Sequence, residues 1–233
     1  MTELHPYYQA HRNAMDALMR QRLDLADDLL RDRLELADTA PLKQEIMAEF
    51  EIVLHQMPYV GGAESRMTDF FMRFLGLMAI GRVLRSRVVP FDVINEITLK
   101  SFTAQLLATP EADRLEAGRQ FMSSENRDVL RKQADWSRKQ TYTADFVYEL
   151  VEPGPGDKFE FGIDYRACGF CKFAAEHGDK DLLPLICATD FASYATRGIH
   201  LERTQTIAGG ATHCNFRFSR KLPEENPSAA EPE

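Results

Sequence analysis

No stretch of this 233-residue chain is apolar enough to span a bilayer. The most apolar run, Phe70 to Leu84, is short of the ~20 apolar residues a span needs and carries Arg73 and Arg82. The opening MTELHPYYQAHRN lacks a basic segment followed by an apolar core, so no export signal is read. Positive charge is also in short supply. Lys plus Arg number 28 against 36 Asp plus Glu, a net charge of −8. Residues 222–233 hold Glu224, Glu225, Glu231 and Glu233 with no base, which leaves the body at about −4. A surface of that sign argues against nucleic acid and anionic membranes as partners. Cysteine is sparse, at four residues. With no export signal the expected compartment is the cytoplasm, where free thiols, metal ligands or catalytic thiols are the alternatives to disulfides.

What is present reads as an ordinary globular composition, 44% apolar and 27% charged, with enough length for a core without staples. The apolar period is helical over 6–37, 41–57, 66–86, 90–107 and 110–138. Pro58-Tyr-Val-Gly-Gly62 is a turn, and the 66–86 helix is apolar nearly all round, as a central helix is. Arg66, Asp69 and Arg73 give it polar relief. The period then changes to two. Strands are predicted over 142–150 and 159–165, paired as a hairpin around Pro153-Gly-Pro-Gly156. Short helices follow over 169–177 and 181–196, stopped by Gly178 and Gly198, and two more strands over 199–207 and 213–219. The predicted class is α+β. A helical region, 1–140, forms one integrated domain with a ββααββ unit, 141–221, whose antiparallel sheet has about four strands. The proline- and glutamate-rich tail, 222–233, is predicted to be disordered.

All the chemistry-bearing patterns fall in the second region. Cys168, Cys171, Cys187 and Cys214 lie at spacing C-x2-C-x15-C-x26-C. Four thiolates could hold zinc or an iron–sulfur cluster, and a small-molecule-binding module built on such a metal is one reading. Cys187, Asp190 and Tyr194 fall at i, i+3 and i+7, on one helical stripe. Asp190 among apolar neighbours needs a partner, an arginine such as Arg203, or else acts as a base or orienting group.

The terminal run Arg203-Thr-Gln-Thr-Ile-Ala-Gly-Gly-Ala-Thr-His-Cys-Asn-Phe-Arg-Phe218 is the most informative. If Gly209-Gly210 form a two-residue hairpin turn, Ala208 faces Ala211, Gln205 faces Cys214, Arg203 faces Phe216 and Leu201 faces Phe218. That register puts Ile199, Leu201, Ile207, Cys214, Phe216 and Phe218 on one face, with Arg203 and Gln205 beside Cys214. His213, Asn215 and Arg217 point the other way. His213 therefore reaches Cys214 as a base only through a bulge.

This run resembles the terminal motif of the L-2-amino-thiazoline-4-carboxylic acid hydrolase family, roughly R-T-x-T-L-A-x-G-G-x-x-C-D-F-R-[FY]. Cys168-Gly-Phe-Cys171-Lys172, Leu185-Ile-Cys187-Ala-Thr-Asp190-Phe191 and Pro58-Tyr-Val-Gly-Gly62 resemble further motifs of that family, in order. Asn215 stands where the family usually has Asp. The resemblance implies a hydrolase that opens a small cyclic amidine ring without a cofactor, as in conversion of 2-amino-thiazoline-4-carboxylate to N-carbamoyl-cysteine. The expected nucleophile is the Cys214 thiolate or a water, with Asp190 and His213 as proton-handling groups. The expected substrate is a carboxylate, held by Arg203 on the inner face or Arg217 on the outer one, with Gln205, Thr206 and Asn215 as further contacts.

Overall fold

The computed structural model describes residues 3–220; the expected disordered tail lies outside them. Its helices are α1 (Pro6–Leu25), α2 (Asp27–Arg33), α3 (Ala40–Gln56), α4 (Met67–Ser86), α5 (Phe91–Leu107), α6 (Glu111–Phe121) and α7 (Ser124–Ser137). Then come β1 (Val147–Val151), β2 (Phe161–Ala167), α8 (Gly169–His177), α9 (Leu183–Ala195), β3 (Ile199–Glu202) and β4 (Cys214–Arg220). The class is α+β, with a four-stranded antiparallel sheet in the order β1-β2-β4-β3.

Two predicted helices are each broken in two. The 6–37 helix stops at Ala26 and restarts at Asp27. The Asp27 carboxylate is tied to α3 by Lys43 at 2.6 Å and by the Thr39 hydroxyl, which fixes a new helix start there. The 110–138 helix breaks at Met122-Ser123. Ser123 has extended backbone angles and its hydroxyl accepts from the Asn126 N–H at 3.1 Å, an N-cap for α7. The first strand starts five residues late. Asp145 accepts from the Tyr142 N–H at 2.7 Å, so its side chain holds a turn where alternation alone predicts strand.

A single buried cluster runs from Leu4 to Phe218 and takes in both regions. Helix α4 is its centre, buried on every side from Phe71 to Leu84 except at Met72, Arg73 and Arg82. It packs against α3, α5 and α9, and α9 in turn lies on β3. Phe121, Phe161, Tyr194 and Phe218 interlock where these layers meet, with ring centroids 4.7–5.6 Å apart. Among the described residues no helix is long and apolar enough to cross a membrane.

The register of β3 on β4 is the predicted one, with Leu201 opposite Phe218. The tight Gly-Gly turn is not found. The ladder ends at Glu202–Arg217, and residues 203–213 form a wider loop. Its turn is closed by the Gly209 and Ala211 N–H groups on the Thr206 carbonyl, both at 3.1 Å. Only Gly210 takes a positive φ, 91°, whereas a two-residue turn of the expected kind needs two such residues or a different one.

Candidate active site

Three elements converge above the inner face of the sheet. Strand β4 supplies Cys214 and Phe216, both buried, with Cys214 paired to Tyr165 of β2. Helix α9 supplies Cys187, Asp190 and Tyr194 from the predicted stripe. The start of α8 supplies Cys168, its N-cap, and Cys171 in its first turn. Gly169 lets that helix start approach the sheet. A Cβ there would lie 2.3 Å from the Ala144 carbonyl oxygen. Together these residues line one cavity of about 70 Å³, closed by Phe70, Phe74, Phe146 and Phe170. All four cysteines border it and all four are free thiols. Among the described residues no three His, Cys, Asp or Glu side chains are grouped so as to hold a metal ion.

Arg203 reaches into this cavity from the loop after β3. Its Nη1 donates to Asp190 Oδ2, and its Nη2 donates to the Cys187 carbonyl at 3.0 Å. The guanidinium lies between the rings of Phe191 and Phe216, 4.8 and 5.3 Å from their centroids. Asp190 thus has the arginine partner its apolar helix demands. Burial still pushes its carboxyl up to about 7, and Arg203 pulls against that rise.

The four thiols are unequal. Burial pushes Cys187 up to about 12 and Cys214 to about 11. The Ile207 N–H donates to Cys214 Sγ at 3.2 Å and counters part of the second rise. Cys168 and Cys171 are neighbouring thiols at the start of α8 that titrate as a pair. Their interaction raises Cys168 well above the ordinary thiol range and holds Cys171 below it. The terminal motif points to Cys214 and carries no sign of this asymmetry. The available signal was a C-x-x-C pair at a helix start, where the first-turn N–H groups favour a thiolate.

The other predicted residues lie elsewhere. His213 is on the outer face, its Nε2 3.5 Å from Asp164 Oδ2. Arg217 is on that face too, donating to Asp164 Oδ1 at 2.7 Å. The Gln205 side chain turns to His213, within 3.1 Å of its ring nitrogens, and away from Cys214. The Thr206 hydroxyl accepts from the Gly209 N–H at 3.0 Å within the turn. Asn215 clasps the loop. Its Oδ1 accepts from the Thr204 and Gln205 N–H groups at 3.1 and 2.9 Å, and its Nδ2 donates to Thr204 Oγ1 at 2.7 Å. None of these five side chains lines the four-thiol cavity.

The sequence model of one known family, described as L-2-amino-thiazoline-4-carboxylic acid hydrolase, matches residues 93–218. The chain belongs to the L-2-amino-thiazoline-4-carboxylic acid hydrolase family. No curated protein and no solved structure matches it significantly. The family match runs from α5 to β4, so it takes in all four cavity cysteines, Asp190 and Arg203. The Pro58–Gly62 turn lies before it. The family's description names a hydrolase. An aspartate in place of Asn215 could accept the same two amide hydrogens, so the clasp needs an acceptor at this position and not a particular charge.

Proposed function

We propose that the protein hydrolyses a small cyclic amidine-type ring inside the four-thiol cavity, with Cys171 as the nucleophile. The observation that carries this reading is the pair at the start of α8. Of the four cavity thiols, Cys171 lies in the first turn of α8, where backbone N–H groups favour a thiolate, and its interaction with Cys168 draws it below the ordinary range while burial pushes Cys187 and Cys214 up. A thiolate, not a thiol, attacks carbon.

The chemistry closes on one water. The Cys171 thiolate adds to the amidine carbon, and the ring bond from that carbon to sulfur breaks, giving a thiol product arm. Water then adds to the same carbon, the Cys171–carbon bond breaks, and a urea-type carbonyl remains. Asp190 borders the cavity with a carboxyl near neutrality, where a group can both take the water proton and return it to a leaving sulfur. Arg203 keeps Asp190 oriented and shields it from bulk water with Phe191 and Phe216. A lining rich in aromatic rings and thiols suits a flat ring. The cavity is under half the ~150 Å³ that takes benzene, so the ring enters by displacing side chains.

The test is turnover of 2-amino-thiazoline-4-carboxylate and simple cyclic amidines, with alkylation mapped by mass spectrometry. Cys171 should alkylate first, and Cys171→Ser should lose turnover with its fold intact. Alkylation of Cys214 ahead of Cys171, with activity surviving in Cys171→Ser, would move the nucleophile to Cys214. No turnover of any cyclic amidine by the wild type would sink the hydrolytic reading.

A further inference from the structure

A second cavity, of about 490 Å³, shares Phe70 and Phe74 with the first. Its walls come from the start of α4, from the second half of α5, from α6 and from the end of α9. Four arginines line it, Arg66, Arg73, Arg114 and Arg197, against two carboxylates, Asp69 and Asp113. Among the described residues none of the four has a carboxylate oxygen within 4.0 Å. Most other arginines of the chain do, among them Arg82, Arg85, Arg131 and Arg203.

Three of these guanidiniums are held in place, and none of the four is neutralised. Arg197 Nε donates to the Ser193 carbonyl at 2.8 Å and its plane lies 4.9 Å from the Tyr194 ring centroid, which leaves both Nη groups free. Arg114 uses Nε and Nη1 on the Thr109 and Thr196 carbonyls, at 3.0 and 2.6 Å. Arg66 stacks on Phe70 at 5.9 Å, and its buried Nη1 makes no hydrogen bond, its charge met only by the phenols of Tyr148, Tyr165 and Tyr194. Arg73 makes no hydrogen bond or ion pair through its side chain among the described residues. The like charges press on one another, since Arg66 and Arg73 both lower the pKa of Arg197 after burial has done so. An unmatched cluster of partly buried cations is costly to assemble unless an anion completes it.

We infer that this cavity is a binding site for a small molecule bearing an oxyanion, carboxylate or phosphate, held between Arg66, Arg73, Arg114 and Arg197. Planar guanidinium forks with free N–H edges are suited to both groups. The site goes beyond the hydrolytic reading and is tested by binding, so either can fail without the other.

Calorimetric titration of the full chain with inorganic phosphate and, separately, succinate decides it. One saturable site per chain is expected for at least one of them. Affinity should fall about tenfold in Arg73→Gln and in Arg197→Gln, since each loses a charge-assisted bond. Arg131→Gln, whose parent pairs with Asp128 and Glu152, should bind as the wild type does. Arg73 is exposed, so its variant reports even if Arg197→Gln misfolds. Phosphate binding alone supports a phosphorylated ligand and succinate binding alone a carboxylate. No saturable binding of either, or equal affinity in wild type and Arg73→Gln, overturns the inference.

Discussion

The two faces of the sheet divide labour along a single strand. Inward, Cys214, Phe216 and Phe218 are all under 9% exposed and meet α9, thiols and aromatic rings. Outward, Asn215 and Arg217 meet a loop and a buried carboxylate, Asp164. His213 joins the outer set although it adjoins Cys214 in sequence. Neighbours along a strand are therefore poor candidates for one catalytic unit, while residues two apart, or on a covering helix, are good ones. The inner face sets proton affinities through burial. The outer face uses the same residue types as fasteners.

Substitutions can break this contrast, and the largest effect belongs to the inner face. Cys171→Ser should lower kcat about a thousandfold or more while the melting temperature holds, because a hydroxyl there has no dedicated base. Asp190→Asn should cost about a hundredfold and remove the limb of the pH–rate profile near pH 7. The sign for stability is also fixed. Burial raises this carboxyl above its unfolded value, so the folded chain holds the proton more tightly. That contribution is present below the usual carboxylate range and is lost as pH climbs to about 7; denaturant titrations should show the slope in wild type and not in Asp190→Asn. Asn215→Ala, on the outer face, should cost about tenfold in kcat/KM by loosening the loop that carries Arg203, and Asn215→Asp should restore it. His213→Ala should sit at the floor, within about twofold of wild-type turnover, as an outer-face change should. A hundredfold loss there would collapse the division between the faces.

Much of this arrangement can be read from the chain. Alternation over Ile199–Leu201 and Cys214–Phe218 dictates the β3–β4 register, because a one-residue slip would turn Phe216 and Phe218 to the outside. Helical spacing likewise unites Cys187, Asp190 and Tyr194 on one wall. The misses share a cause. At Ser123, Asp145 and Asn215 a short polar side chain bonds nearby backbone and stops an element that the apolar pattern would continue. Asn215 is the sharpest case, since it takes two successive amide hydrogens, one of which an extended ladder would have used. The C-x-x-C spacing shows the Cys168–Cys171 pair but not how the two thiols differ, which depends on their surroundings. The arginine cavity gathers residues from four separate helical segments and leaves no local pattern to read.

The strand order β1-β2-β4-β3 sets when the thiol cavity closes during folding. The β1–β2 pair is a local hairpin. The β2–β4 seam joins residues such as Asp164 and Arg217, 53 positions apart, and so bears a much larger loop-closure entropy. Cys168, Cys171 and Cys187 all lie inside that loop, and Cys214 is the first residue of the strand that shuts it. Until β4 docks, Cys214 has no strand to bury it and the cavity lacks its floor, which leaves these thiols more open to peroxide and to mispairing. Docking of β4 thereby removes Cys214 from oxidants, while the half-buried Cys171 carries its vulnerability into its working life.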